Sequence, residues 1–176
     1  TAAYIVDVGR MQVVAKDRFN KLDWPLAVSR IAALYEKYGC TTSVTDTTAL
    51  GGDALKYLLK EAGMNVTDYV FTIDSKSTLV TTLASELEHR RLHLLREDDT
   101  LKRALQMFRG EVTGAGKIKY AAATGFNDDT VFALAMAIWK AKKRPNLGQR
   151  AYTGSYTTWS KGKEPTLKDR MKHVGR

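Results

Sequence analysis

Residues 131–139 read Val-Phe-Ala-Leu-Ala-Met-Ala-Ile-Trp, with Asp128 and Asp129 just before them. A helix from these acids to about Lys143 is apolar nearly all round. A globular protein accommodates such a helix only by covering it on several sides. The run is the longest apolar stretch of the chain, yet it is half the roughly 18 residues of a membrane span. The chain must therefore build layers around this one helix. Pro145 marks its end.

The preceding residues supply those layers. Ala2 to Val6 and Met11 to Phe19 are β-prone runs around Val8-Gly9-Arg10, which predicts a hairpin. Pro25 suits a first helical position, Ala27, Ile31, Leu34, Tyr35 and Tyr38 follow at helical spacing, and Gly39 closes the helix. Thr41 to Thr45 reads as a short strand. Asp53 is expected to cap a second helix carrying Leu55, Leu58, Leu59 and Ala62, ended by Gly63. Tyr69 to Ile73 is the next expected strand, and Asp74 or Ser75 the cap of a third helix with Val80, Leu83, Ala84 and Leu87 on one face. A short strand near 92–94 follows, then a fourth helix opened by Asp98-Asp99 with Leu101, Ala104, Leu105 and Phe108. Phe108 to Thr113 and Lys117 to Ala121, around Gly114-Ala115-Gly116, predict a second hairpin. This order describes an α/β fold, a mixed β-sheet flanked by α-helices.

Charge divides the chain. Its 176 residues carry a net charge of +9. Residues 140–176 hold 11 Lys/Arg and two acids, whereas residues 1–139 hold 17 of each sign. A neutral stretch, 1–139, thus precedes a basic one, 140–176, and the expected domain body, 1–144, is followed by a basic tail, 145–176. A basic excess of this size points to nucleic acid or another anionic surface. The single cysteine, Cys40, excludes an internal disulfide and a Cys-based zinc cluster. No signal-peptide pattern opens the chain, so a secreted protein is not expected.

Several chemistries drop out. Gly51-Gly52-Asp53 is followed by Ala-Leu, which is no phosphate-cradling loop. His89, His93 and His173 form no His-Glu-x-x-His pattern, and Arg90 and Arg91 interrupt the first two. Carboxylates remain. Asp46 ends a β-prone run, and in α/β sheets the carboxyl ends of strands face the crevice where ligands bind. Asp128 and Asp129 are adjacent like charges before a buried helix, a costly pair without a shared cation. A helix start needs one capping residue, so capping explains only one of them. Carboxylates from different elements can hold Mg²⁺ or Mn²⁺, the oxygen-seeking ions of phosphodiester hydrolysis.

The residues from Arg18 to Trp139 resemble the nuclease domain of the phage terminase large subunit, which has an RNase H-like fold. The resemblance rests on Asp17-Arg18-Phe19-Asn20, Trp24-Pro25-Leu26 and Arg30-Ile31. It continues through Asp46-Thr47-Thr48-Ala49-Leu50-Gly51-Gly52-Asp53 and Phe71 to Lys76 with Leu79. Glu111-Val112-Thr113, Lys117 to Tyr120 and Gly125-Phe126-Asn127-Asp128-Asp129 before the apolar run complete it. Asn127 stands where the family often has His. By this resemblance Asp46 is the second catalytic acid, and Asp128 and Asp129 occupy the third acid position. The family's first acid lies on the first of three strands before the first helix. Only two strand-like runs precede Pro25 here, so that strand is expected to be absent from this chain, with Asp7 as the alternative.

The resemblance implies a two-metal-ion DNA endonuclease using Mg²⁺ or Mn²⁺. It would cut double-stranded viral DNA with little sequence preference during genome packaging. It also implies an ATPase domain of the same protein, a portal and a small terminase subunit as partners, no membrane, and the host cell cytoplasm as location. Candidate DNA contacts are Lys117 and Lys119 on the second hairpin, and Lys142, Lys143 and Arg144 where the tail begins. Tyr152, Tyr156 and Trp159 in the tail suit packing or base stacking. Two other readings remain open: another RNase H-like enzyme such as a Holliday-junction resolvase or transposase core, and a non-catalytic DNA-binding module.

Overall fold

A computed structural model describes residues 1–48, 51–114, 116–122 and 128–143. Arg144, the tail 145–176 and Gly125-Phe126-Asn127 lie outside the described residues.

Strands β1 (Ala2–Asp7) and β2 (Gln12–Arg18) form the expected antiparallel hairpin, with a register shift between Ile5 and Val6. Helix α1 (Trp24–Lys37) carries Pro25 in its first turn, where a missing N–H costs nothing. Gly39 just past its end takes φ 58°, the left-handed conformation glycine tolerates. Strand β3 (Ser43–Asp46) leads to helix α2 (Gly52–Glu61) and returns as β4 (Val66–Tyr69), parallel to β3, so that Asp46 lies opposite Tyr69. Helices α3 (Ile73–Glu88) and α4 (Asp99–Gln106) follow. The antiparallel hairpin β5 (Phe108–Val112) and β6 (Ile118–Ala122) precedes the last helix, α5 (Asp129–Lys142).

Helix α5 is the centre of the molecule, as its all-round apolarity requires. Leu134, Ala135 and Ile138 are fully buried. They belong to one core with Val13 of β2, Tyr69 of β4, Leu79 and Leu83 of α3, and Leu101 and Ala104 of α4. A second cluster, Val28, Leu59, Met64 and Val66, glues α1 and α2 to β4. Both β1 and β3 contact α5, but they do not pair with each other. Among the described residues the expected mixed sheet is thus three two-stranded ladders, two antiparallel and one parallel. No described helix is long and apolar enough to cross a membrane.

The structure corrects four local expectations. Asp53 is not the cap of α2: Gly51 is, at φ 97°, and Asp53 sits in the first turn. Gly52 follows because a Cβ there would lie 2.5 Å from the Thr47 Cα. The strand expected at 69–73 ends at Tyr69, and Ile73 is already helical. The cap of α3 is Thr72, not Asp74 or Ser75. Its hydroxyl accepts from the Ser75 N–H, and the Ser75 hydroxyl accepts from the Thr72 N–H, a reciprocal cap that stops the strand. The strand near 92–94 is one parallel bridge, where His93 exchanges hydrogen bonds with Met11 and Val13 beside β2. Asp98, by contrast, caps α4 as expected by accepting from the Leu101 N–H.

Two buried acids hold the layers together. Asp98, 1 % exposed, accepts from the Tyr4 hydroxyl at 2.8 Å and from the Lys16 ammonium. Burial pushes its carboxyl up, but the bonds from Lys16, the Leu101 N–H and Tyr4 hold it below the usual carboxylate range. Glu86 on α3, 2 % exposed, accepts from both nitrogens of an Arg91 fork and from Lys142 of α5. The Arg91 guanidinium, opposed by burial and aided by Lys142, brings Glu86 down to about 2. A carboxyl with a lowered folded pKa stabilises the fold above its unfolded value, near 4.5, and loses that contribution as pH falls toward 2. Thermal unfolding midpoints of the wild type should therefore drop across this acid window. Glu86→Gln should flatten that drop, and an unchanged pH profile in the variant would show that Glu86 does not drive it.

Candidate metal and nucleic-acid site

Asp46 is the last residue of β3, so its side chain stands where the parallel pair opens. Its Oδ1 accepts from the Thr48 N–H at 2.8 Å and from the Thr48 hydroxyl. Thr48 Oγ1 in turn accepts from the Phe71 N–H at 2.6 Å. The close approach of Gly52 to Thr47 makes this turn possible. Among the described residues no hydrogen bond is made to Oδ2 of Asp46.

Asp128 occupies the N-cap position of α5, yet its carboxylate accepts no bond from the helix. The capping explanation thus fails for this residue. Asp129 begins the helix. Successive helical residues point about 100° apart, so the two acids face different directions.

A run of aromatic contacts joins the two acid-bearing segments. The Phe71 ring, one residue pair beyond the end of β4, meets Phe132 of α5 at 5.2 Å. The Phe132 N–H bonds the Asp128 carbonyl at 3.0 Å. From Phe132 the contacts continue to Phe108 at 5.6 Å, and from Phe108 to Tyr120 at 6.2 Å, nearly parallel. In the other direction Phe71 meets Tyr69, which meets Trp139 edge-on at 4.7 Å. Asp46 and Asp128 are therefore tied to one packed aromatic unit, which also anchors the β5–β6 hairpin.

Among the described residues no three His, Cys, Asp or Glu side chains cluster closely enough to hold a metal ion together. Asp46 and Asp128 are each of the donor type that Mg²⁺ or Mn²⁺ takes, since such ions are usually held by one or two carboxylates, with water and substrate phosphate completing the shell. Asp7 lies apart, its Oδ1 accepting from the Gly9 and Arg10 N–H groups in the hairpin turn. His89 bonds the Ser85 carbonyl.

The expected basic hairpin face is partly neutralised. Lys117 grips both carboxylate oxygens of Asp74, at 2.7 and 3.0 Å, and Lys119 stands opposite Glu111 in the ladder. Lys142 pairs with Glu86, and Lys143 lies 4.0 Å from the Trp139 ring centroid. Arg144 is outside the described residues. Thr48, Phe71 and Phe132 were not among the sequence candidates. They lay inside segments read for other reasons, the Asp46 to Asp53 loop, Phe71 to Lys76 and the apolar run 131–139, because a bridging hydroxyl and ring contacts across 23 to 61 positions leave no periodic signal.

The chain matches the family model of the terminase RNaseH-like domain over residues 2–141. It is 31% identical over 134 residues to the large terminase subunit of Thermus virus P23-45, an alignment covering 76% of this chain and 27% of that protein. The chain thus spans about a quarter of the length of the curated relatives it matches. Among solved structures it is similar to the large terminase nuclease from thermophilic phage G20c with bound cobalt. That match has a TM-score of 0.72 at 28% identity and covers 79% of this chain and 73% of that one. The magnesium-bound form of the same nuclease gives 0.70 at 27% identity, with the same coverage of both chains.

Proposed function

Because the chain belongs to the terminase RNaseH-like domain family, we propose that it is a metal-dependent endonuclease domain that cuts double-stranded viral DNA during genome packaging. In this reading residues 1–144 are the nuclease and residues 145–176 a basic tail that attracts phosphate without reading sequence. The observation that carries the reading is Asp128. It sits at a helix start without capping it, and it is joined through Phe132, Phe71 and Thr48 to Asp46.

Asp46 and Asp128, with Asp129 as the neighbouring donor, would hold Mg²⁺ or Mn²⁺. When bound, such ions activate water and stabilise the leaving oxygen of a phosphodiester. The protein's own contribution is positioning. Thr48 fixes Oδ1 of Asp46 with two bonds, so the other oxygen keeps one direction. The Phe71 N–H fixes Thr48. The aromatic unit holds α5, and hence Asp128, against the end of the β3–β4 pair. An ATPase domain, portal and small terminase subunit as partners, little sequence preference, and the host cytoplasm as the place of action all belong to the same proposal.

Supercoiled plasmid incubated with the chain and Mn²⁺ or Mg²⁺ should be nicked and linearised, and EDTA should stop the reaction. Calorimetric titration with Mn²⁺ should give specific heat that Asp46→Ala removes. No metal-dependent cleavage together with no Mn²⁺ heat would overturn the proposal.

A further inference from the structure

We propose that Lys76 is a phosphate-binding residue of this site, its ammonium contacting a phosphodiester oxygen of the DNA placed between Asp46 and Asp128. Lys76 lies in the first turns of α3, its backbone N–H bonded to the Thr72 carbonyl beneath the reciprocal cap. Its Nζ is 5.0 Å from the centroid of Phe71 and 4.5 Å from that of Phe132. These are the two rings that join the acid-bearing segments. The Phe71 N–H bonds the Thr48 hydroxyl that also bonds Asp46, and Phe132 lies one helical turn after Asp128, its N–H on the Asp128 backbone carbonyl. The cation therefore lies over rings from both of the segments that carry the acids.

Among the described residues Lys37 and Lys143 each lie over one ring, of Tyr38 and Trp139, whereas Lys76 lies over two rings from different segments. Lys16, Lys56, Lys102, Lys117 and Lys142 each pair with a carboxylate. Among the described residues Lys76 has no carboxylate within ion-pair distance, and its contacts are the two aromatic faces. An aromatic face attracts a cation without accepting its N–H bonds as an oxygen does, so the ammonium keeps donors for an anion. The rings also hold the half-buried side chain in place, which lowers the entropy lost when the anion binds. An anion bound here would sit beside groups suited to hold divalent cations, a combination that a phosphodiester satisfies. The inference rests on the nuclease reading for the identity of that anion.

The test is Lys76→Met in the full 176-residue chain, because methionine keeps the packed stem and removes the charge. Binding of a short fluorescein-labelled duplex is followed by anisotropy with Ca²⁺ across a salt series. The slope of log affinity against log salt should fall in magnitude by about one, the signature of one lost phosphate contact. Plasmid cleavage with Mn²⁺ should drop by roughly 10- to 100-fold, the effect of one charge-assisted hydrogen bond. Lys76→Arg, which keeps a phosphate donor, should recover most of both. If Lys76→Met does not fold, as judged by thermal unfolding, Lys76→Gln takes its place in the same measurements. An unchanged salt slope with unchanged cleavage overturns the assignment and leaves the nuclease reading standing. A wild type that does not cleave overturns the nuclease reading, while the salt slope still decides whether Lys76 holds phosphate.

Discussion

Asp128→Ala should lower metal-dependent cleavage on the order of a thousandfold and leave thermal stability unchanged. A metal ligand gives several kcal/mol of transition-state stabilisation, and each 1.36 kcal/mol is about tenfold in rate. Stability should not move, because the Asp128 carboxylate makes no capping bond to α5. A capping aspartate behaves differently: its removal costs about 1 kcal/mol. The pair of readouts therefore separates a metal ligand from a cap. Asp46→Ala should give a comparable loss, with Mn²⁺ heat abolished in calorimetry. Its one hydrogen-bonded neighbour pair, the N–H and hydroxyl of Thr48, is exposed enough to be rehydrated. Retention of full cleavage in either variant would remove that residue from the site. A fall in unfolding midpoint with cleavage intact would return Asp128 to a capping role.

The largest stability effect should come from α5. Leu134→Ala is expected to cost about 3 kcal/mol, within the usual 2–5 for deleting a buried leucine, because the surroundings relax only partly into the cavity. Leu134 is fully buried, in a core that draws on α3, α4, β2 and β4. No single neighbour can move in to fill the space without leaving another layer. For a domain of this length the unfolding midpoint should fall by roughly 10 °C. Urea unfolding followed by circular dichroism measures the free-energy loss, and a thermal scan the midpoint. A loss below about 1 kcal/mol would mean that α5 is not the centre of the fold.

Helix α5 also shows how far local reading reaches. Its limits, its burial and the two acids before it follow from residues close in sequence. An apolar surface without a polar face can only be buried, and hydrophobic periodicity is a local property. Both hairpins, the cap at Asp98 and the end of α1 at Gly39 are legible for the same reason. Strand β4 was misplaced because Val70, Phe71 and Ile73 look β-prone, whereas the exchange between Thr72 and Ser75 commits the chain to a helix. The cap of α2 was misplaced because only contact with the Thr47 backbone makes glycine necessary at position 52.

The candidate site divides along the same line. Residue type and position alone mark the candidates: Asp46 at a strand end, Asp128 and Asp129 before a buried helix, and lysines at the hairpin and tail. Only the tertiary structure decided which of them are available. It gave Lys117 to Asp74, Lys142 to Glu86 and Asp7 to a turn, and it placed Lys76 over Phe71 and Phe132. Charge type is written residue by residue. Whether a charge is already spent on a neighbour depends on distances of a few ångströms between segments far apart in the chain, and those distances exist only after the core around α5 has closed.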